Sequence, residues 1–105
     1  MALVPPVHEK RSHRRYRVRG KLAGHLLATL SPLQDSEQPF QATIQDISRG
    51  GFGVLTAQAV SVLSPIRCEV QLAGLPVSIP TLVQVRWVER SPSGEDAKVG
   101  LHFLL

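Results

Sequence analysis

Residues 66–73 read Ile-Arg-Cys-Glu-Val-Gln-Leu-Ala, in which apolar side chains alternate with polar or small ones. A period of two places one face of an extended strand in a core and the other face in water. Related alternation occurs in Phe40–Gln45, in the second half of Val77–Arg90 and in Lys98–Phe103. We therefore expect a protein built from β-strands.

Two further extended segments complete this pattern. Val18–Leu30 combines apolar residues with Gly20 and Gly24, where a bulge or barrel bend is expected, and Phe52–Ala57 is short and apolar. Pro80 is expected to divide the strand at 77–90. Turn-rich segments separate the strands at 31–39, at 46–51, before Pro65, after Gly74 and at 91–96. Short strands with such spacing and no long helical period indicate an antiparallel barrel or sandwich.

The chain is long enough for one hydrophobic core, because it has 105 residues of which 43% are hydrophobic. We expect one domain over 11–105, preceded by a flexible leader at 1–10 that has no apolar period. Within the domain, a basic arm at 11–19 leads into a barrel that starts at about residue 17.

The predicted core consists of the apolar residues on the inner faces of the strands. Trp87 alternates with Val83 and Val85, which favours the core over stacking on a base. Cys68 lies on an apolar strand face and is interpreted as a core residue rather than a nucleophile. The full predicted set is Ile44, Val54, Cys68, Val70, Leu72, Val83, Val85, Trp87, Val99, Leu101 and Phe103.

Cysteine content and hydropathy suggest the compartment. Cys68 is the only cysteine, so an internal disulfide and a multi-cysteine metal site are excluded. No apolar run approaches the roughly 20 residues that span a bilayer, and Met1–Val7 lacks the features of a signal peptide. We therefore expect a cytoplasmic protein without a membrane span.

Positive charge is concentrated near the N-terminus. Residues 9–21 contain seven cations and the single anion Glu9, whereas the whole chain has a net charge of +4. An anionic partner is expected for this segment. A solvated arm, or a nonspecific contact with nucleic acid or a membrane, is the alternative.

Arg11 and Arg15 lie four residues apart within the basic segment. A guanidinium can donate two hydrogen bonds to phosphate oxygens or to the O6 and N7 acceptors of guanine, and it can stack on a purine. The spacing alone is weak, because 11–19 contains five arginines.

A second motif is Asp46-Ile47-Ser48-Arg49-Gly50-Gly51. The Asp46 carboxylate can accept from both the ring N–H and the exocyclic amine of guanine. Ser48 can reach a phosphate oxygen or hold the loop, and Gly50 and Gly51 are expected to permit positive φ and close approach of a ligand. An ordinary turn has a similar composition.

Arg11 and Arg15, followed by Asp46, Ser48 and Gly51, form the pattern RxxxR and DxSxxG, and the chain resembles the PilZ domain family. The resemblance implies a six-stranded antiparallel β-barrel of the split-barrel type and the bacterial ligand cyclic di-GMP. Matching family context lies at Arg15–Val18, Gly50–Val54, Val85–Val88 and Val99–Phe103.

The resemblance further implies that the arm folds over cyclic di-GMP while the DxSxxG loop holds a guanine and a phosphate. Additional candidate contacts are Lys10, Arg14 and Gly50. Many family members have arginine where this chain has Lys10, and that arginine is associated with binding of a ligand dimer. With Lys10 in its place, the resemblance is compatible with either one or two ligands per site. Arm closure would create a surface for a protein effector or a fused domain.

The C-terminal residues allow more than one interpretation of how the domain ends. Family members often end in a helix, so this chain is expected to be either a minimal domain or a piece of a larger protein. The apolar ending Phe103-Leu104-Leu105 could pack against a missing segment or, as a weak homodimer, against a second copy.

No catalytic, cofactor or metal-binding arrangement is recognisable, because His8, His13, His25 and His102 are scattered and no phosphate-binding glycine loop is present. Three hypotheses stay open. They are a non-catalytic cyclic di-GMP receptor, which we rank first, a small barrel that binds nucleic acid, and a PilZ-like docking domain without a ligand.

Overall fold

The computed structural model describes residues 14–27 and 38–104. These residues form a closed antiparallel barrel of six strands, which confirms the predicted fold. None of them forms a helix that is long and apolar enough to cross a membrane. The expected leader at 1–10, together with Lys10 and Arg11, lies outside the described residues. The strands are β1 Tyr16–Leu26, β2 Gln38–Ile47, β3 Gly51–Thr56, β4 Pro65–Leu72, β5 Ser78–Arg90 and β6 Ala97–Phe103.

Around the barrel the strands follow the order β1, β2, β3, β6, β5, β4, and β4 pairs with β1 to close the circle. Closure gives every strand two neighbours, which removes the free edges through which sheets aggregate. The first residues of β1, β3 and β5 lie at the same end of the barrel as the last residues of β2, β4 and β6. The loop at 48–50 and the segment before β1 therefore meet at one end.

The barrel interior is filled by the apolar side of each strand. In β4, Ile66, Cys68 and Val70 are buried while Arg67 and Glu69 are exposed, as the alternation predicts. Leu72 and Phe103 are only partly buried. The residues of the predicted core set that are buried are Ile44, Val54, Cys68, Val70, Val83, Val85, Val99 and Leu101, and the buried residues outside that set are Leu22, Phe40, Phe52, Ile66 and Ala97.

Trp87 lies on the outside of the barrel, with 36% of its surface exposed, so its assignment to the core is wrong. The ladder between β5 and β6 shifts between Val85 and Trp87, since Val85 pairs with Leu101 and Trp87 with Gly100. Such a bulge inserts one extra residue and reverses the inward and outward alternation beyond it. Val88 packs against the core instead.

The boundaries of three predicted segments also change. β5 runs through Pro80, which pairs with Glu69, whereas β6 reaches β5 only from Val83. Pro80 thus has a neighbouring strand on one side only, where a missing N–H is tolerated. Residues 16–19 of the expected arm belong to β1, and Gln38 begins β2 rather than lying in a turn.

Candidate functional site

Five residues form a continuous row across the outer surface of the barrel. Arg17 pairs with Asp46, Asp46 with Gly53, Gly53 with Gly100, and Gly100 with Trp87. Directly paired residues of antiparallel strands point to the same face. The row therefore places an arginine, a carboxylate and an indole on one surface, with two glycines between the last two.

β-Bulges border this row. A bulge often re-aims a side chain next to a functional site. Each of the register shifts in the barrel adjoins a member of the row: they lie between Arg17 and Gly20, between Ile44 and Asp46, and between Val85 and Trp87. Of the two positions where a bulge or barrel bend is expected, Gly20 directly follows a register shift, whereas Gly24 pairs with Phe40 in an unshifted part of the ladder.

Arg15 joins the row from the segment before β1. Its Nη1 donates to Oδ1 of Asp46 at 3.1 Å, and the two side chains are 40% and 28% exposed. The pairing of Tyr16 with Ile47 brings the two residues together across 31 positions of sequence. One residue from each sequence motif therefore lies in a contact that is open to solvent. Arg14, beside Arg15, is exposed, and Arg11 lies outside the described residues.

The motif around Asp46 spans two strands and a short loop, so the expected loop at 46–51 is too long. Asp46 ends up in β2 and Gly51 in β3, which leaves 48–50 as the connection. Ser48 Oγ accepts a hydrogen bond from the Gly50 backbone N–H at 3.2 Å, and the Ser48 N–H donates to the Gly51 carbonyl at 2.9 Å. Ser48 therefore holds the loop.

The expectation of positive φ at Gly50 and Gly51 is wrong. Within the described part of the chain, the glycines with positive φ are Gly74 and Gly94. A side chain at Gly51 would instead overlap the carbonyl oxygen of Leu101 in β6. Gly51 is required by the close approach of two strands rather than by a turn.

The row's glycines have a different environment. A Cβ at Gly53 would lie 2.7 and 2.8 Å from the two carboxylate oxygens of Asp46, and a Cβ at Gly100 would overlap the indole of Trp87. The carboxylate and the indole thus occupy the space that side chains at these glycines would fill. The row therefore presents a carboxylate, with its hydrogen-bond acceptors, and an aromatic ring that each lie over a glycine of the neighbouring strand.

Sequence reasoning missed Arg17, Gly53, Gly100 and the outward position of Trp87. One signal was available, because Gly53 and Gly100 each interrupt the outward-facing positions of an otherwise regular strand. A glycine in a strand often marks the close approach of another group.

Candidate metal ligands and one cysteine also lie within the described residues. Between 14 and 27 and between 38 and 104, no three His, Cys, Asp or Glu side chains could hold a metal ion together. Burial raises the pKa of the Cys68 thiol to about 11, so the thiol stays protonated at neutral pH.

A groove of about 1030 Å³ lies elsewhere on the barrel. Its lining includes Ala23, Gln41 and Glu69, and it contains no member of the row. Size alone would favour the groove as a ligand site. The row is the better candidate, because it alone combines the paired motif residues with an exposed aromatic ring.

Solved structures share this barrel. The complex of K. pneumonia MrkH with c-di-GMP matches with a TM-score of 0.67 at 18% identity, over 90% of this chain and 44% of the MrkH chain. The PilZ domain of YcgR from Escherichia coli, with c-di-GMP, matches with a TM-score of 0.66 at 14% identity, over 90% of this chain and 78% of that one. The chain thus spans less than half of the MrkH chain, and at these identities the likeness concerns the fold.

No curated protein sequence is similar enough to match this one. The sequence profile of the PilZ domain, however, matches residues 9–105, which is nearly the whole chain. That range includes both sequence motifs and every strand of the barrel. The chain belongs to the PilZ domain family.

Proposed function

We propose that this domain is a non-catalytic receptor for cyclic di-GMP. Arg11 and Arg15 supply the arginine contacts, and Asp46, Ser48 and Gly51 supply the strand and loop contacts. The observation that carries the proposal is the 3.1 Å contact between Arg15 and Asp46. Family membership supports it, as do two barrels of the same fold whose structures contain c-di-GMP.

The chemistry of Arg15 and Asp46 suits different parts of this ligand. The guanidinium can donate to a phosphate oxygen or to guanine O6 and N7, while the carboxylate can accept from the N–H groups on the other edge of guanine. An exposed ion pair contributes only about 0–1 kcal/mol. A hydrogen bond to a charged group contributes about 1.5–3 kcal/mol, so the ligand can replace the mutual contact at a net gain.

The rest of the row suits a purine. Trp87 is 36% exposed and its indole lies over Gly100, and base stacking on an aromatic side chain contributes about 1–3 kcal/mol. Arg17 adds a cation beside Asp46. Further contacts proposed from the sequence are Lys10, Arg14 and Gly50.

We further propose that the part of the expected arm that precedes β1, residues 11–15, closes over the ligand. Its ordering would then be coupled to binding and would change the surface next to the site. That surface would be read by a protein effector, a fused domain or a second copy of the chain. In this proposal the domain comprises 11–105, with 1–10 as a leader.

Isothermal titration of the full chain with cyclic di-GMP tests the proposal. Arg11→Ala and Asp46→Ala should each weaken binding by roughly tenfold to a hundredfold. Arg67→Ala, at an exposed arginine of β4 that pairs with His25 and Leu82 away from the row, is the matched control and should bind like the wild type. The proposal fails if the wild type does not bind, or if both site variants bind normally. Displacement of the ligand by excess single-stranded DNA would favour a nucleic-acid-binding role instead.

A further inference from the structure

Two glycines of β3 differ in what a side chain would meet. At Gly51, a Cβ would overlap backbone atoms of Leu101 in the neighbouring strand. At Gly53, the three nearest atoms all belong to the Asp46 side chain, with Oδ1 at 2.7 Å, Oδ2 at 2.8 Å and Cγ at 3.0 Å. The obstacle at Gly53 is therefore a carboxylate rather than the fold.

This difference decides what must move when a side chain is added. The backbone of a closed barrel has little freedom to shift, whereas a carboxylate can rotate to another staggered rotamer. Gly53 also has no positive φ, so alanine fits its backbone conformation. A side chain at position 53 should leave the barrel intact and displace Asp46.

We propose that Gly53 is a positioning residue of the ligand site. Because glycine has no Cβ, the Asp46 carboxylate can lie against β3 at Gly53, where it contacts Arg15 at 3.1 Å. The bulge between Ile44 and Asp46 brings Asp46 opposite Gly53. The identity of the ligand in this inference rests on the proposed function. A displaced Asp46 carboxylate could no longer pair with guanine.

Gly53→Ala in the ligand-free protein gives the first test. Three-bond couplings to Asp46 Cγ report its χ1 rotamer, and thermal unfolding reports the fold. We expect altered χ1 populations with a nearly unchanged melting temperature. Val70→Ala, a truncation in the core of β4, is the control and should lower the melting temperature without changing the Asp46 rotamer. Unchanged χ1 populations in folded Gly53→Ala would overturn the proposal.

A double-mutant cycle with cyclic di-GMP gives the second test. Gly53→Ala and Asp46→Ala should each weaken binding about tenfold or more. The double variant should bind no more weakly than Asp46→Ala alone, because the carboxylate is already displaced. Losses that multiply would assign Gly53 a role independent of Asp46 and overturn the proposal.

The melting temperature of the double variant provides a third test, which applies if Gly53→Ala is less stable than the wild type. If Gly53→Ala destabilises the barrel, removing the carboxylate with Asp46→Ala should restore the melting temperature. Failure to restore it would make Gly53 a packing residue and overturn the proposal. If the wild type does not bind cyclic di-GMP, the proposed function fails, and the Asp46 rotamer in the ligand-free protein alone decides the role of Gly53.

Discussion

The guanidinium of Arg15 donates a hydrogen bond to the carboxylate of Asp46 at 3.1 Å, although 31 positions of sequence separate them. The register of β1 on β2 creates this proximity by pairing Arg17 with Asp46. Both side chains stay partly exposed, so a ligand can approach either one. The contact joins the basic segment before the barrel to the motif at its rim.

Arg15→Ala should affect ligand binding far more than folding. An exposed ion pair contributes about 0–1 kcal/mol, so the free energy of unfolding should change by no more than that. Binding of cyclic di-GMP should weaken by about tenfold to a hundredfold. Arg15→Lys keeps the charge but loses the planar guanidinium, so its affinity for cyclic di-GMP should lie between those of the wild type and Arg15→Ala. Denaturant unfolding and calorimetry check this, and a large loss of stability in Arg15→Ala would contradict it.

Asp46→Asn should weaken base selectivity. The substitution preserves the size of the side chain but replaces one acceptor oxygen with a donor, which opposes the N–H groups of guanine. We expect the wild type to prefer cyclic di-GMP over cyclic di-AMP and the variant to lose most of that preference. Competitive titration with the two dinucleotides measures the ratio. An unchanged ratio would remove Asp46 from base recognition.

Trp87 should report ligand binding directly. It is the only tryptophan of the chain and is 36% exposed, so its fluorescence comes from one position beside the proposed site. A guanine stacked on the indole should change the emission in a saturable way. Trp87→Ala should weaken binding by about 1–3 kcal/mol, whereas Trp87→Phe keeps a ring face and should lose less. Emission that stays constant at saturating ligand would contradict the stacking role.

Cys68 should make stability depend on alkaline pH. Burial raises the pKa of its thiol from 9.0 to about 11, so the folded protein holds this proton longer than the unfolded chain does. The resulting stabilisation is fully present below pH 9.0 and declines as pH rises towards about 11. Denaturant unfolding across this range should show a steeper decline in wild type than in Cys68→Val. Parallel pH profiles for the two proteins would exclude this linkage.

Alternation in the sequence was sufficient to predict much of the barrel. Ile66, Cys68 and Val70 each occupy the face that a period of two assigns to them, because no irregularity interrupts β4. The resemblance of the two motifs to the PilZ family implied that Arg15 and Asp46 meet at one ligand, and the structure places them in contact. Both results depend on residue types and regular spacing, which a sequence displays.

Features that depend on the pairing register of neighbouring strands could not be predicted from the sequence. A bulge after Val85 turns Trp87 outwards, and nothing in the local pattern marks the extra residue. The relation between Asp46 and Gly53 likewise arises from the pairing of β2 with β3, where a shift of one residue would move every side chain to the other face. Such contacts emerge only when the strands are assembled.

Titration of isotope-labelled protein with cyclic di-GMP, followed residue by residue by NMR, tests the location of the ligand most directly. If the ligand binds where Arg15 meets Asp46, saturable shift changes will cluster at these residues, at the loop 48–50, and at Gly53 and Trp87. Residues of the separate groove, such as Ala23, Gln41 and Glu69, will change little. Changes confined to that groove, or no saturable change anywhere, would contradict a cyclic di-GMP site on this row.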